Sequence, residues 1–178
     1  MKIKLLCLNI VSLTVLFFSC TEQKRTTDDI ASVFKDARLQ IERIQNNGEY
    51  PYGTKIDSIM QAVLCREGSF DYSLDSMLTV PYYSSVSEDI RVRLITLCGI
   101  GSMETGISYI QYRKNDSTLV CRKIADVEES DKGGCIFPAC YKEIHCVKGN
   151  EYVVYGTFRF SANAESVNDT LLISSIDL

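Results

Sequence analysis

The apolar rhythm of this chain changes once, near Phe70, and that change limits the folds open to it. Before it, Ile30, Phe34, Ala37, Ile41 and Ile44 recur at alternating spacings of four and three residues. That pattern is one stripe of an α-helix over 27–45. Thr26-Thr27-Asp28-Asp29 offers a cap and first-turn acids, and Asn46-Asn47-Gly48 a stop. After the turn-forming "GEYPYG", Ile56, Ile59, Met60, Val63 and Leu64 predict a second helix over 55–66, capped by Thr54 and ended by Gly68. Beyond Phe70 the β-branched and aromatic residues take over. "IRVRLITLC" (90–98), "ISYIQYR" (107–113), "TLVCRKI" (118–124), "YKEIHCV", "YVVYGTFRF" and "TLLISSI" (170–176) read as strands, whereas "FDYSLDSML" fits neither period cleanly. Helices first and hairpins afterwards imply an α+β fold, two N-terminal helices packed on an antiparallel sheet. A two-residue turn at Asn115-Asp116 sets Tyr112 against Leu119 and Ile110 against Cys121. A turn at Gly149-Asn150 sets His145 against Val154 and Cys146 against Val153. The helical stripes are read as facing the domain's own sheet rather than a partner.

The N-terminal segment has a different character. Met1-Lys2-Ile3-Lys4 is basic, and Leu5 to Phe18 is almost wholly apolar. The run is shorter than the roughly 20 residues a spanning helix needs, and it describes a secretory signal peptide. Phe17-Phe18-Ser19-Cys20 resembles the relaxed lipobox of Bacteroidetes lipoproteins. The resemblance implies cleavage before Cys20, which then carries the lipid and becomes the mature N-terminus. A plain secreted protein with Cys20 as one more thiol is the alternative. Two or three acyl chains hold firmly where one binds weakly. Thr21 to Thr27 is polar and aperiodic, a tether. By the same resemblance, Thr21 in place of an aspartate after the lipid cysteine points to the outer membrane; the leaflet is not legible. The expected organisation is a signal over 1–19, lipidated Cys20 and tether over 20–27, and one α+β domain over 28–178.

Net charge is −4 at pH 7 with no basic stripe, which argues against nucleic acid. Of eight cysteines, Cys7 leaves with the signal and Cys20 takes the lipid. Cys65, Cys98, Cys121, Cys135, Cys140 and Cys146 remain, in a compartment that permits disulfides, with pairing beyond the reach of sequence. Buried thiols acting as small apolar groups are the alternative. "GGCIFPACYKEIHC" supplies a metal alternative in Cys135, Cys140 and His145. However, the Cys-x4-Cys spacing is loose for a structural zinc site, and His145 and Cys146 alternate across a strand. Any Cys–His nucleophile scheme must use His145, the only histidine, with Cys135 or Cys140. Glu88, Asp89 and Glu104 fall in loops, where solvation is the default role for acids. "GIGSMETG" (99–106) lacks the Lys-Ser/Thr ending and following helix of a phosphate loop. No catalytic residue and no cofactor is assigned.

The stretches "SEDIRVRLITLCGIGSMETGISYIQYR" and "YKEIHCVKGNEYVVYGTFRF" resemble a group of uncharacterised Bacteroidetes lipoproteins. The shared pattern is a Ser-x-Asp turn, a strand, a glycine-rich loop and a strand ending in an aromatic after Gln. Ser87, Asp89, Gly99, Gly101, Gln111 and Tyr112 carry it. The chain departs from the group's double glycine at Gly101-Ser102-Met103. The resemblance implies an envelope lipoprotein and no activity. Asp57-Ser58, Asp75-Ser76, Asp116-Ser117 and Asp169-Thr170 are similar to O-glycosylated Asp-Ser/Thr sites of such envelopes, although Asp-Ser is also common at turns and caps. The functional expectation is an envelope-anchored, non-catalytic module binding a glycan, a peptide or a surface protein. Tyr50, Tyr52, Tyr82 and Tyr83, beside Pro51 and Pro81, are its candidate surface, with burial against the helices as the competing reading. The alternative is a small envelope hydrolase using loop carboxylates or a cysteine.

Overall fold

The structure is a computed structural model that describes residues 29–47, 54–98, 104–115, 118–126, 128–129, 135–136, 138–159, 161 and 163–174. The expected signal peptide and tether, Cys20, Tyr50 to Tyr52 and the Gly99–Met103 loop lie outside them. The fold is α+β, with two helices followed by antiparallel sheets. Helix α1 covers 29–46 and α2 Thr54–Leu64. Both stripes are buried as their spacing requires: Ile30, Phe34, Ala37 and Ile41 from α1; Ile56, Met60, Val63 and Leu64 from α2. The ambiguous "FDYSLDSML" turns out to hold a short 3-10 helix, Leu74–Ser76, capped where the Ser73 hydroxyl accepts from the Asp75 N–H.

Seven longer strands and two short ones follow: β1 Tyr82–Val86, β2 Val92–Cys98, β3 Gly106–Arg113, β4 Leu119–Ala125, β5 Glu128–Glu129, β6 Cys135–Ile136, β7 Cys140–Lys148, β8 Glu151–Phe158 and β9 Val167–Ser174. They form two main sheets, not one, in the orders β1-β2-β3-β4 and β7-β8-β9, with β5-β6 a small ribbon. The reason lies in β2 and β3, whose residues are buried on both faces almost throughout. On one face Ile95, Leu97, Ile107 and Tyr109 meet the helices. On the other, Val92, Leu94 and Ile110 meet Ile144, Tyr152, Val154 and Ile173 of the second sheet. A strand apolar on both faces needs a layer on each side, so the second sheet takes the face that the helices leave uncovered. The result is three layers with two cores.

Both expected hairpins form with shifted registers. Lys114 N–H donates to Thr118 O, and Arg113 pairs Leu119, Tyr112 pairs Val120 and Gln111 pairs Cys121. The connection is therefore one residue longer than a two-residue turn, and Cys121 faces the helices rather than sharing a face with Ile110. Because the side-chain period is two, a slip of one flips every side chain. In the second hairpin Lys148 pairs Glu151 across the expected turn, where Gly149 has φ +61°. An irregularity between Cys146 and Lys148 then sets His145 against Val153 and Cys146 against Tyr152. This two-against-one count is that of a β-bulge. It keeps Ile144 and Val154 in the core and His145 outside.

Strand β1 is an element that sequence reading treats as turn. Pro81 precedes it, where a missing N–H breaks no ladder, and Tyr82 pairs Leu97. At one corner the sheets are joined by backbone: Thr105 bridges Ala139, Glu104 bridges Arg159, and Gly106 N–H donates to Pro138 O.

Candidate binding cleft

That corner carries an open cleft of about 480 Å³. Pro81, Tyr82 and Tyr83 enter from the start of β1, Cys98 from the end of β2, Glu104 and Thr105 from the segment before β3, and Cys140 and Lys142 from β7. Each set ends or begins a strand here, so the cleft is a consequence of where the two sheets meet. Tyr82 is half-buried against the helix-side core and donates its hydroxyl to Asp75 Oδ1 at 2.7 Å. Tyr83 alternates to the other side and remains exposed. The Lys142 ammonium lies 5.3 Å from the Tyr83 ring centre, a cation–π distance, and donates to Thr157 Oγ1 at 3.0 Å. Glu104 accepts from Ser166 Oγ at 2.9 Å and sits 3.4 Å from Arg159. Hydroxyl hydrogen bonds from Ser166 and Thr157 lower its pKa, so it is an anion at neutral pH. The cleft thus offers an aromatic wall, one cation and one anion.

Two thiols meet at the base of this corner, Cys140 Sγ lying 4.0 Å from Cys98 Sγ. The Cys140 hydrogen bond, with Lys142 nearby, draws the Cys98 thiol pKa down. The same hydrogen bond and burial push Cys140 up. Cys121 is buried on the helix side and pushed up by desolvation. Cys65 is exposed after α2, and Cys146 is partly exposed beside Glu88 and Asp89. The side chain of Cys135 lies outside the described residues.

His145 is elsewhere. Its Nδ1 stands 2.6 Å from Glu88 Oε1 and its Nε2 3.5 Å from Glu143 Oε2, with Tyr155 edge-on at 5.6 Å. Glu88 Oε2 accepts the Cys146 N–H at 2.8 Å. The metal alternative therefore finds Cys140 beside Cys98 and His145 between two glutamates. Among the described residues no group of three or more His, Cys, Asp or Glu side chains is placed to hold an ion. The Cys–His pairing of Cys140 with His145 is likewise not assembled.

The three loop acids have specific partners rather than solvent alone. Asp89 Oδ2 accepts the Tyr152 hydroxyl at 2.8 Å, and Asp89 Oδ1 accepts Ser87 Oγ at 2.6 Å. Together with Glu88, this fastens the β1–β2 turn to the second sheet. Ile90 in that turn has φ +58°, a costly conformation for a β-branched residue that persists where surroundings impose it. Of the motif positions, Ser87 and Asp89 build this turn. Gln111 is fully buried and donates to Leu64 O and Ser69 Oγ, both at 2.7 Å, closing the end of α2. Asp57 pairs with Lys123 at 3.1 Å, and Asp169 accepts the Tyr141 hydroxyl at 2.7 Å. Asp116 and Ser117 lie outside the described residues.

The Glu88–His145 contact carries a pH prediction. Hydrogen bonds from the Cys146 and Glu88 backbone amides, then His145, bring Glu88 down to about 2. Glu88 raises His145, burial opposes it, and Glu143 adds to the rise, leaving a net upward shift. A lowered carboxylate stabilises the fold above its unfolded pKa near 4.5 and loses that contribution as pH falls towards about 2. A raised imidazole stabilises below its unfolded 6.5 and loses it as pH rises through the raised value. The contact is therefore complete between about pH 4.5 and 6.5. In NMR titration the His145 midpoint is expected above 6.5, returning towards 6.5 in Glu88→Gln. An identical midpoint in both proteins would refute the assignment.

Among the described residues no helix is long and apolar enough to cross a membrane. No protein-family model, curated protein or solved structure matches the chain.

Proposed function

We propose that this protein is a lipid-anchored envelope module, tethered through Cys20 to the outer membrane, that binds a glycan or protein partner without transforming it. The observation that carries the binding half is the corner cleft, where exposed Tyr83 and Pro81 stand beside one cation, Lys142, and one anion, Glu104. Aromatic surface with a few placed polar groups is the composition of binding sites generally. The support for binding over hydrolysis is where the chemistry-bearing groups are spent. Glu104 is the one carboxylate among the described lining residues, and it is held by Ser166 and Arg159. His145 is occupied by Glu88 and Glu143 outside the cleft. The anchoring half rests on the apolar run and on Ser19-Cys20.

Two measurements test the halves separately. Cys20→Ala is expected to move the protein from the detergent-extracted membrane fraction to the aqueous one; unchanged partitioning would overturn the anchor. A photo-crosslinking residue at Tyr83 is expected to yield an envelope adduct in living cells, whereas one at exposed Leu39 on α1 is not. No adduct at Tyr83, or equal adducts at both positions, would remove the cleft as the binding surface.

A further inference from the structure

We propose that Cys98 and Cys140 are a redox pair that closes to a disulfide across the junction of the two sheets. Four placements converge on this pair. The sulfurs stand 4.0 Å apart although they come from strands 42 residues apart in sequence, and closing the bond brings them to roughly 2 Å. Gly106, which pairs Cys98 in the sheet, lies alongside the Cys140 sulfur. A Cβ there would lie 3.6 Å from Cys140 Sγ and only 2.6 Å from Thr96 Cγ2. Both border the cleft, but Cys98 is half-buried whereas Cys140 is 3% exposed. One thiol can thus meet a reagent from solution, and the other waits behind it. Lys142 shares the cleft and favours the Cys98 thiolate, the reactive form of a cysteine.

The oxidant is a disulfide, RSSR, either a small molecule or a thiol–disulfide exchange protein. Cys98 gives up its proton, and its thiolate attacks one sulfur of RSSR; a Cys98–SR bond forms and RS⁻ leaves to become RSH. Cys140 then loses its proton and attacks Cys98 Sγ, expelling the second RS⁻, which is also protonated. Two thiols and RSSR become one protein disulfide and two RSH, and two electrons pass to RSSR. The reverse reaction opens the pair and removes the covalent link between β7 and the end of β2. The cleft wall therefore has a locked and an unlocked form. The chemistry does not depend on the lipid anchor or on any bound partner, so its failure is distinguishable from failure of the proposed function.

The test uses the full chain in detergent, equilibrated with oxidised glutathione, alkylated without reduction and mapped by peptide mass. The expected result is a linked pair of peptides containing Cys98 and Cys140 that separates on adding dithiothreitol. In the reduced protein Cys98 is expected to react with iodoacetamide at least tenfold faster than Cys140, and Lys142→Met to slow Cys98 severalfold. Cys140→Ser is expected to stop at the first step, holding one glutathione on Cys98. If that variant does not fold, the wild-type map still decides. Cys98 and Cys140 both alkylated after glutathione treatment, or either one linked to another cysteine, would overturn the proposal.

Discussion

Replacing Arg93 with methionine is expected to destabilise the protein by about 3 kcal/mol or more, the sum of leaving buried carbonyls without donors. Arg93 lies on β2, with its side chain turned to the helix layer and 7% of the residue exposed. Its Nη1 donates to Ser69 O at 3.2 Å, Phe70 O at 2.9 Å and Tyr72 O at 3.1 Å, and its Nε donates to Ser84 Oγ at 2.9 Å. Burial draws the guanidinium below its ordinary pKa, opposed by Tyr82 and Asp71. It nonetheless stays charged, because it starts far above neutral pH. The segment from α2 to the 3-10 helix has little ladder of its own, and Arg93 with its cross-strand neighbour Gln111 supplies the donors that fix it. Methionine fills similar space and donates nothing. Arg93→Lys should recover only part of the loss, since one ammonium cannot reproduce a planar fork. In urea, a loss of 3 kcal/mol moves the midpoint by roughly 1–3 M. A midpoint within about 0.3 M of wild type would show that the fork contributes little.

Gly156→Val is the second large effect, expected at about 3 kcal/mol or more, at the upper end of overpacking costs. Gly156 pairs Tyr141 across β7 and β8. A Cβ there would lie 2.7 Å from Cys140 O, 2.8 Å from Tyr141 Cα and 2.8 Å from Tyr141 Cδ1. Two of those three atoms are backbone, so relief requires β7 to move away from β8. Gly156→Ala already places the offending carbon and should carry most of the penalty. Gly149→Ala is the contrast: nothing lies within 4 Å of its Cβ, and only the positive φ is strained, a cost of roughly 1–2 kcal/mol. Thermal unfolding of the three variants checks the ranking. A Gly156→Ala protein as stable as wild type would mean the strands can part at little cost.

The helices were legible because their signal is local. Phe34 and Met60 are buried where the spacing of neighbouring apolar residues puts them. Strand β1 was not, since its own residues are mostly exposed or half-exposed and its reason to exist is the partner strand β2. The registers failed for a related reason. The extra residue in the first turn and the bulge near Val147 are settled by which side chains must reach a core built from distant segments. Arg93 sits inside a strand pattern, where a charged residue between apolar ones looks solvent-facing until its three carbonyl partners, more than 20 residues away, are in place. The cysteines illustrate the same limit. Alternation correctly separated His145 from Cys146, but nothing in the spacing between Cys98 and Cys140 brings their sulfurs together.

The middle sheet serves two cores, and this orders events for a chain that emerges amino end first. Both amphipathic helices are synthesised before any of the strands they pack against. At translation speeds of roughly 5–20 residues per second, their apolar stripes stay uncovered for seconds, until the β2–β3 hairpin leaves the ribosome. Over that interval the nascent chain presents a greasy amphipathic surface, which β7 to β9, packing on the opposite face of the middle sheet, never cover.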